Sequence, residues 1–426
     1  MMEHPDIAGT EGGARRARER FAGSFTQQEP LPEASVAAAL AVMGHGRLHR
    51  YNTIPGETAE AALLEEEFAA FTGARYCLAV ASGGYALGCA LRACGVAAAE
   101  PVLTNAFTLA PVPGAIAAAG GRAVFVEITG DLTLDFQDLE AKARETGARL
   151  LLLSHMRGHV CDMGRLMDLC RALGLTVIED CAHTMGADWD GVPSGRHGAI
   201  GCYSTQTYKH MNSGEGGLIV TDDAGLAARM VLLSGSYMLY GAHPAAPGPE
   251  VFEGLRLDIP NVSGRMDNLR AAVLRPQIPL LPGRRLRWRA LHDRLEAGLR
   301  HVPGLRLVAR PGAEGFVPSS FQFLLPEWEP VRVTAFLAAC AARGVELKWF
   351  GAEAPVAFTS RYQHWRYAGG QSCPRTDRIL AGLVDMRLPL SFSEADADLI
   401  ARIIRDEALR IGQAEHVAPV QAPRVQ

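Results

Sequence analysis

The stretch Ala199–Asp222 reads AIGCYSTQTYKHMNSGEGGLIVTD, with Lys209 near its centre. A short strand-forming run, Cys202–Ser204, precedes the lysine, and hydroxyl residues surround it. The turn Gly214-Glu215-Gly216-Gly217 and a second strand, Leu218–Thr221, follow. Among 42 basic residues only three are lysines: Lys142, Lys209 and Lys348. Arginine does not readily lose its proton, so it cannot serve as an amine nucleophile. A lysine kept in so arginine-rich a chain, on a strand–turn–strand frame, suits Schiff-base chemistry. That chemistry needs an amine desolvated enough to be neutral.

Upstream of this stretch, short apolar runs alternate with helical patterns. Strands are expected at Ala74–Val80, Pro101–Thr104, Ala123–Glu127, Arg149–Ser154 and Thr176–Asp180. Helices are expected at Ala34–Met43, Glu60–Thr72, Tyr85–Cys94, up to about Ala119, Asp138–Thr146 and Met163–Leu173. The alternation predicts an α/β fold, a mainly parallel sheet covered by helices on both faces. Functional loops of such a sheet lie at the carboxyl ends of its strands. Ser82, Phe107, His155 and Asp180 all fall there.

From about Pro282 the texture changes. A basic amphipathic helix, Arg284–Arg300, leads into a smaller α+β region with strands near Leu305–Val308 and Ser320–Leu324 and helices at Val331–Arg343 and Glu394–Leu409. The expected division is a flexible arm (1–30), a large α/β domain (31–283), a small α+β domain (284–411) and a disordered tail (412–426).

Net charge is −4, so nothing points to nucleic acid or a membrane surface. No apolar run is long enough to span a bilayer, and the N-terminus has no secretory pattern. Nine scattered cysteines without a CxxC pair read as free thiols in a reducing cytosol.

Asp180 ends a strand, where a desolvated carboxylate is costly without a cation. It suits a helix cap, or a partner for a protonated pyridine nitrogen that lets a ring act as electron sink. Ser82-Gly83-Gly84 precedes a helix, whose free N–H groups and dipole attract an anion, and Ser204 can add a hydroxyl. Phe107 reads equally as a ring-stacking residue or a core aromatic. His155-x-x-x-His159-x-Cys161 offers metal-ligand residue types, but Arg157 and Arg165 oppose a cation and no metal site is expected. His183 follows Asp180 by three residues and is expected to face the same ligand.

These residues match a family. Val177–His183 resembles the VIEDAAQ segment of the DegT/DnrJ/EryC1/StrS aminotransferases, and Gly198–Asp222 matches their GxxGxFSFxxxKxxxxGEGGxxxTDD block in spacing. Ser82–Leu87 resembles their SGTAAL, and Arg265–Ala272 their NYRMxxxxAA. The resemblance implies a pyridoxal 5'-phosphate (PLP)-dependent transferase of fold type I. Lys209 would hold the cofactor covalently and then shuttle a proton, and Asp180 would hold the pyridinium proton. Ser82, Ser204 and the amides of Gly83, Gly84 and Tyr85 would bind the phosphate. Phe107 would stack on the ring, and His183 replaces a glutamine near the ring hydroxyl. The family forms homodimers with shared active sites, so Asn261–Arg265 would reach across, with Asn261 at the cofactor.

Departures are present. The phosphate loop is Ser-Gly-Gly-Tyr-Ala-Leu, Ser263 stands where the family has asparagine, and Leu347–Gly351 replaces the HYxxPLH pattern of the acceptor side. The retained lysine, with His210 beside it, favours transamination. The expected function is a cytoplasmic aminotransferase moving an amino group from glutamate or glutamine to a keto-sugar, cyclitol or related ketone in secondary metabolism. The alternatives are elimination, decarboxylation or condensation on an amino acid, or a non-catalytic regulator of the same fold.

Overall fold

The computed structural model describes residues 19–413. The expected mobile start of the arm and nearly all of the expected tail lie outside them. The large sheet has seven strands: β1 (Tyr76–Val80), β2 (Pro101–Asn105), β3 (Arg122–Val126), β4 (Leu150–Ser154), β5 (Thr176–Asp180), β6 (Ile200–Ser204) and β7 (Gly217–Thr221). Their order is β1-β7-β6-β5-β4-β2-β3. β7 is antiparallel to both neighbours, and the remaining ladders are parallel. β4 is LLLLS and buried throughout, as a strand covered on both faces requires.

Helices α1 (Glu33–His45), α2 (Glu60–Thr72), α3 (Gly83–Ala93), α4 (Pro111–Ala118), α5 (Phe136–Thr146), α6 (Met163–Leu173), α7 (Ala224–Leu233) and α8 (Asn268–Leu274) belong to this layer. Local chemistry starts several of them. The Asp135 carboxylate accepts the N–H groups of Gln137 and Asp138 at the head of α5, and Asp162 accepts that of Arg165 at the head of α6. α2 buries Leu64 and Phe68 on its inner face. It also buries Glu65, which pairs with Arg50.

Helix α9 (Leu281–Leu299) leads into the smaller layer, where it buries Trp288, Leu291, Leu295 and Leu299. Strands β8 (Arg306–Leu307), β9 (Ser320–Leu324), β10 (Lys348–Trp349) and β11 (Leu383–Arg387) form an antiparallel sheet in the order β8-β9-β11-β10. Helices α10 (Pro330–Ala342), α11 (Pro374–Ala381) and α12 (Glu394–Gln413) accompany it. Its core joins Phe321, Phe323 and Phe336 to Ile400, Ile403 and Ile404.

Three features differ from the sequence reading. Residues 19–30 pack rather than hang free: Phe21 and Phe25 are buried with Phe392, ring centroids 5.0–5.5 Å apart. α12 extends to Gln413, past the expected end of order at residue 411. β11, at the heart of the small sheet, was not expected: Asp385, Arg387 and the nearby Pro389 interrupt any apolar strand pattern.

Candidate active site

The carboxyl ends of β1, β4, β5 and β6 converge on one edge of the large sheet. Register brings them there: Ser154 pairs with Asp180, Ser204 with Gly217, and Gly217 with Val80. A Cβ on Gly217 would lie 2.5 Å from the Ser82 carbonyl oxygen, and one on Gly83 would lie 2.8 Å from Ser204 Cβ. Bare glycine at both positions lets the head of α3 sit directly against Ser204. The head of α3 thus adjoins the Ser82 and Ser204 hydroxyls, an arrangement able to hold an anion such as a phosphate.

Tyr85 is a correction to the expected phosphate shell. Its N–H donates to Ser82 Oγ (3.1 Å), closing the helix cap, and its hydroxyl donates to the carbonyls of Leu233 and Val262. It braces the head of α3 against the segment that includes Val262.

Asp180 is buried at the end of β5. Its Oδ2 accepts from Ser154 Oγ (3.2 Å) and its Oδ1 from the Ala182 N–H (3.1 Å). Burial pushes its carboxyl above the ordinary range, against the pull of Lys209, Ala182, His155 and Ser154. Thr108 Oγ1 donates to Ser154 Oγ (2.8 Å), and the Asn105 amide ties down the Ser154 backbone. Beneath, Glu179 is wholly buried. It accepts from the N–H groups of Gly195, His197 and Gly198 and pairs with His155 Nε2 at 2.9 Å. Sequence reading missed Ser154, Thr108, Asn105 and Glu179. The signal for Ser154 was its place level with Asp180 on an adjacent parallel strand.

Lys209 rides a tight loop in which Thr205 N–H donates to Gly216 O and Lys209 N–H to Gln206 O. Its Nζ lies 2.8 Å from His183 Nε2. As a residue it is only half-buried, yet enough protein encloses its ammonium that lost hydration lowers its pKa to about 7. Asp180 opposes that shift, while Arg157 and Arg387 add to it. Burial, Lys209 and Arg157 hold the His183 imidazole well below its usual pKa. The other two lysines are ordinary: Lys142 pairs with Asp138 at 2.8 Å, and Lys348 lies 3.9 Å from Glu346.

The remaining expectations divide. Phe107 is 1% exposed and meets Phe350 edge to face at 5.1 Å, in a cluster with Ile128, Leu132 and Met156. In this protomer Phe107 thus packs as a core aromatic. His210 turns from Lys209 toward Ser319 Oγ (3.0 Å) and the Trp288 ring. His155, His159 and Cys161 diverge: His159 hydrogen-bonds Gln322, and Cys161 lies against Met163. Asn261 is exposed, its carboxamide oxygen 3.0 Å from a Cβ built on Gly235. In a single protomer it joins none of the groups around Lys209.

The family model for the DegT/DnrJ/EryC1/StrS aminotransferases matches residues 41–405, most of the chain. The chain belongs to that family. A family relative, the L-glutamine:scyllo-inosose aminotransferase of Streptomyces griseus, is 32% identical over 262 residues, 61% of each chain. The L-glutamine:2-deoxy-scyllo-inosose aminotransferase of Streptomyces fradiae is 32% identical over 280 residues, 65% of each. The matches thus span a little under two thirds of these relatives' length. The solved structure of DesV from S. venezuelae superposes with a TM-score of 0.73 at 26% identity, covering 88% of this chain and 94% of that one. The family's cofactor is PLP. The residues here fit it: an amine whose pKa is lowered to about 7, a buried carboxyl whose pKa burial raises, and a glycine-walled helix N-terminus.

Proposed function

We propose that the chain is a PLP-dependent aminotransferase that moves an amino group from glutamine or glutamate to a keto-cyclitol, keto-sugar or related ketone of secondary metabolism. One observation carries the reading: Lys209, its pKa lowered to about 7 and its Nζ 2.8 Å from His183, shares a site with the desolvated carboxylate of Asp180. The names of the relatives support the donor and the acceptor class.

Lys209 would hold the cofactor aldehyde, Asp180 its ring nitrogen, and Ser82, Gly83, Gly84 and Ser204 its phosphate. Bound there, the cofactor supplies an electron sink that lets a Cα–H bond of an amino acid break. Near pH 7 the Lys209 amine is able to take a proton at the substrate carbon and return it. His183, kept neutral by burial, orients that amine through Nε2. Ser154, with Thr108 behind it, holds Asp180 against rotation.

Residues 31–283 would form the cofactor-binding unit and 284–411 the smaller one. We read the assembly as a homodimer with shared sites. The apolar side chains of Val36, Leu40 and Met43 on α1, 45–61% exposed, suit a partner surface. All nine cysteines are free, which fits a reducing cytoplasm.

The test is a single-turnover reaction of the PLP-loaded protein with L-glutamine. Transamination releases the keto acid of the donor and leaves the aminated cofactor. Recovery of carbon dioxide or an elimination product instead, with no aminated cofactor, would move the protein to another reaction class.

A further inference from the structure

We propose that Arg157 and Arg387 form a carboxylate-binding subsite beside Lys209, so that a substrate is read there as an anion. The inference rests on the aminotransferase reading and narrows its substrate. Arg157 follows β4 with a left-handed backbone (φ 56°, ψ 24°), which is uncommon for a side chain of this size. The turn delivers the guanidinium into the protein, where it is 7% exposed. Its Nη2 lies 2.8 Å from Asp385 Oδ2, and its Nε has no hydrogen-bond partner among the described residues.

Arg387 ends β11, two residues from Asp385. Its guanidinium lies 3.9 Å from the ring centroid of Tyr208, the neighbour of Lys209, and 5.2 Å from that of Phe358. The Arg157 guanidinium lies 4.2 Å from the same Phe358 ring. Two guanidiniums therefore flank one aromatic ring, one of them over the neighbour of Lys209, and both act electrostatically on the Lys209 amine.

Asp385 is the acid paired with this group, and its other oxygen accepts from Gln322 Nε2 (2.7 Å). One carboxylate cannot neutralise two guanidiniums. Arg387 has no ion pair among the described residues and is half-buried, stacked on the Tyr208 ring. Excess positive charge out of water is costly unless an anion enters, and a planar carboxylate matches the guanidinium fork. A neutral ketone needs none of this. The anion has two sources: the α-carboxylate of the amino donor, or a carboxylate on the ketone acceptor.

Arg387 is the position to vary, because Arg157 carries a buried ion pair whose loss endangers folding. Wild type, Arg387→Met and Arg387→Lys are loaded with PLP and checked for equal thermal midpoints. The binding arm is calorimetric titration with maleate, a dicarboxylate that cannot react. The donor arm compares half-saturation by L-glutamine and by its α-amide. The acceptor arm compares a neutral cyclic ketone with a carboxylated one, using the aminated cofactor form.

Arg387→Met is expected to weaken maleate at least about ten-fold, with Arg387→Lys in between. It should weaken either glutamine or the carboxylated ketone by a similar factor while sparing its uncharged counterpart. The arm that responds names the source. Unchanged maleate affinity, or equal loss for charged and neutral ligands, overturns the subsite. Failure of the wild type to hold PLP on Lys209 would instead overturn the aminotransferase reading itself.

Discussion

At the scale of single residues, the chemistry of this protein lies in how burial sets two opposed groups. Lys209 loses hydration, so that a large share of its amine is neutral near pH 7, while Asp180 becomes a carboxyl that welcomes a cation. Covalent capture of PLP by the apoprotein should therefore quicken as pH rises through about 7 and level off above it, followed by stopped-flow absorbance. A plateau reached only near pH 10 would mean a solvated, ordinary lysine. Lys209→Ala should bind PLP without the covalent absorption band and lose turnover by about a thousandfold or more, since proton transfer also uses this amine. His183 and Lys209 are legible in the sequence because each falls inside a spaced motif. Arg157 is not, because its value lies in a left-handed turn and in Asp385, far away along the chain.

At the scale of elements, strand ends and helix heads position the site. The α2–β1 pair shows how tightly this is specified. Arg50, 2% exposed, forms two hydrogen bonds to fully buried Glu65 at 2.8 and 2.9 Å, and Glu65 Oε1 also accepts the Ala79 N–H of β1 at 2.8 Å. Burial alone would raise this carboxyl, but Arg50 and His243 outweigh it and hold its pKa down at about 2. Glu65→Ala leaves the Arg50 guanidinium buried without its anion. It is expected to destabilise the protein by about 3–5 kcal/mol, read from the urea midpoint of the apoprotein. A loss below about 1 kcal/mol would show that Arg50 finds water or another partner. Element positions in the sheet were largely readable: α2, α6 and β5 match their expected bounds. α7 and α8 were not expected, although Asp223 and Asp267 cap them.

At the scale of the whole molecule, many imidazoles are buried neutral. Burial first, then neighbouring cations, lower both His210 and His292 to a pKa of about 3. The unfolded chain binds protons at these groups below about pH 6.5, whereas the folded chain refuses them until about pH 3. Stability is thus fully present above the unfolded pKa and is lost as pH falls through that window, by up to about 1.4 kcal/mol per pH unit for each group. Lys209 contributes with the same sign between about pH 7 and its ordinary 10.5. Thermal midpoints of the apoprotein should fall from pH 6.5 toward 4, and His292→Phe, which fits among Phe316 and Phe321, should lessen that slope. A midpoint flat across this range would mean that these histidines take up protons in place.

The class of fold, and the residues expected to hold the cofactor, follow from the chain's local pattern. Period-two and period-3.6 patterning, together with glycine and serine at the strand ends, are local properties that survive without knowledge of what packs where. The sequence also singled out Lys209, because one of only three lysines among many arginines is visible by composition. The orientation of side chains that share no local rule was set by long-range packing. That packing set the Tyr85 hydroxyl on the Leu233 and Val262 carbonyls, sank Phe107 into the core and pointed His210 at Ser319. It also drew Phe21 and Phe25 into the small-domain core and set Arg387 over the Tyr208 ring. Each of these outcomes depends on partners far away in sequence, whose distance and burial arise when β11 and the small sheet close on the large one.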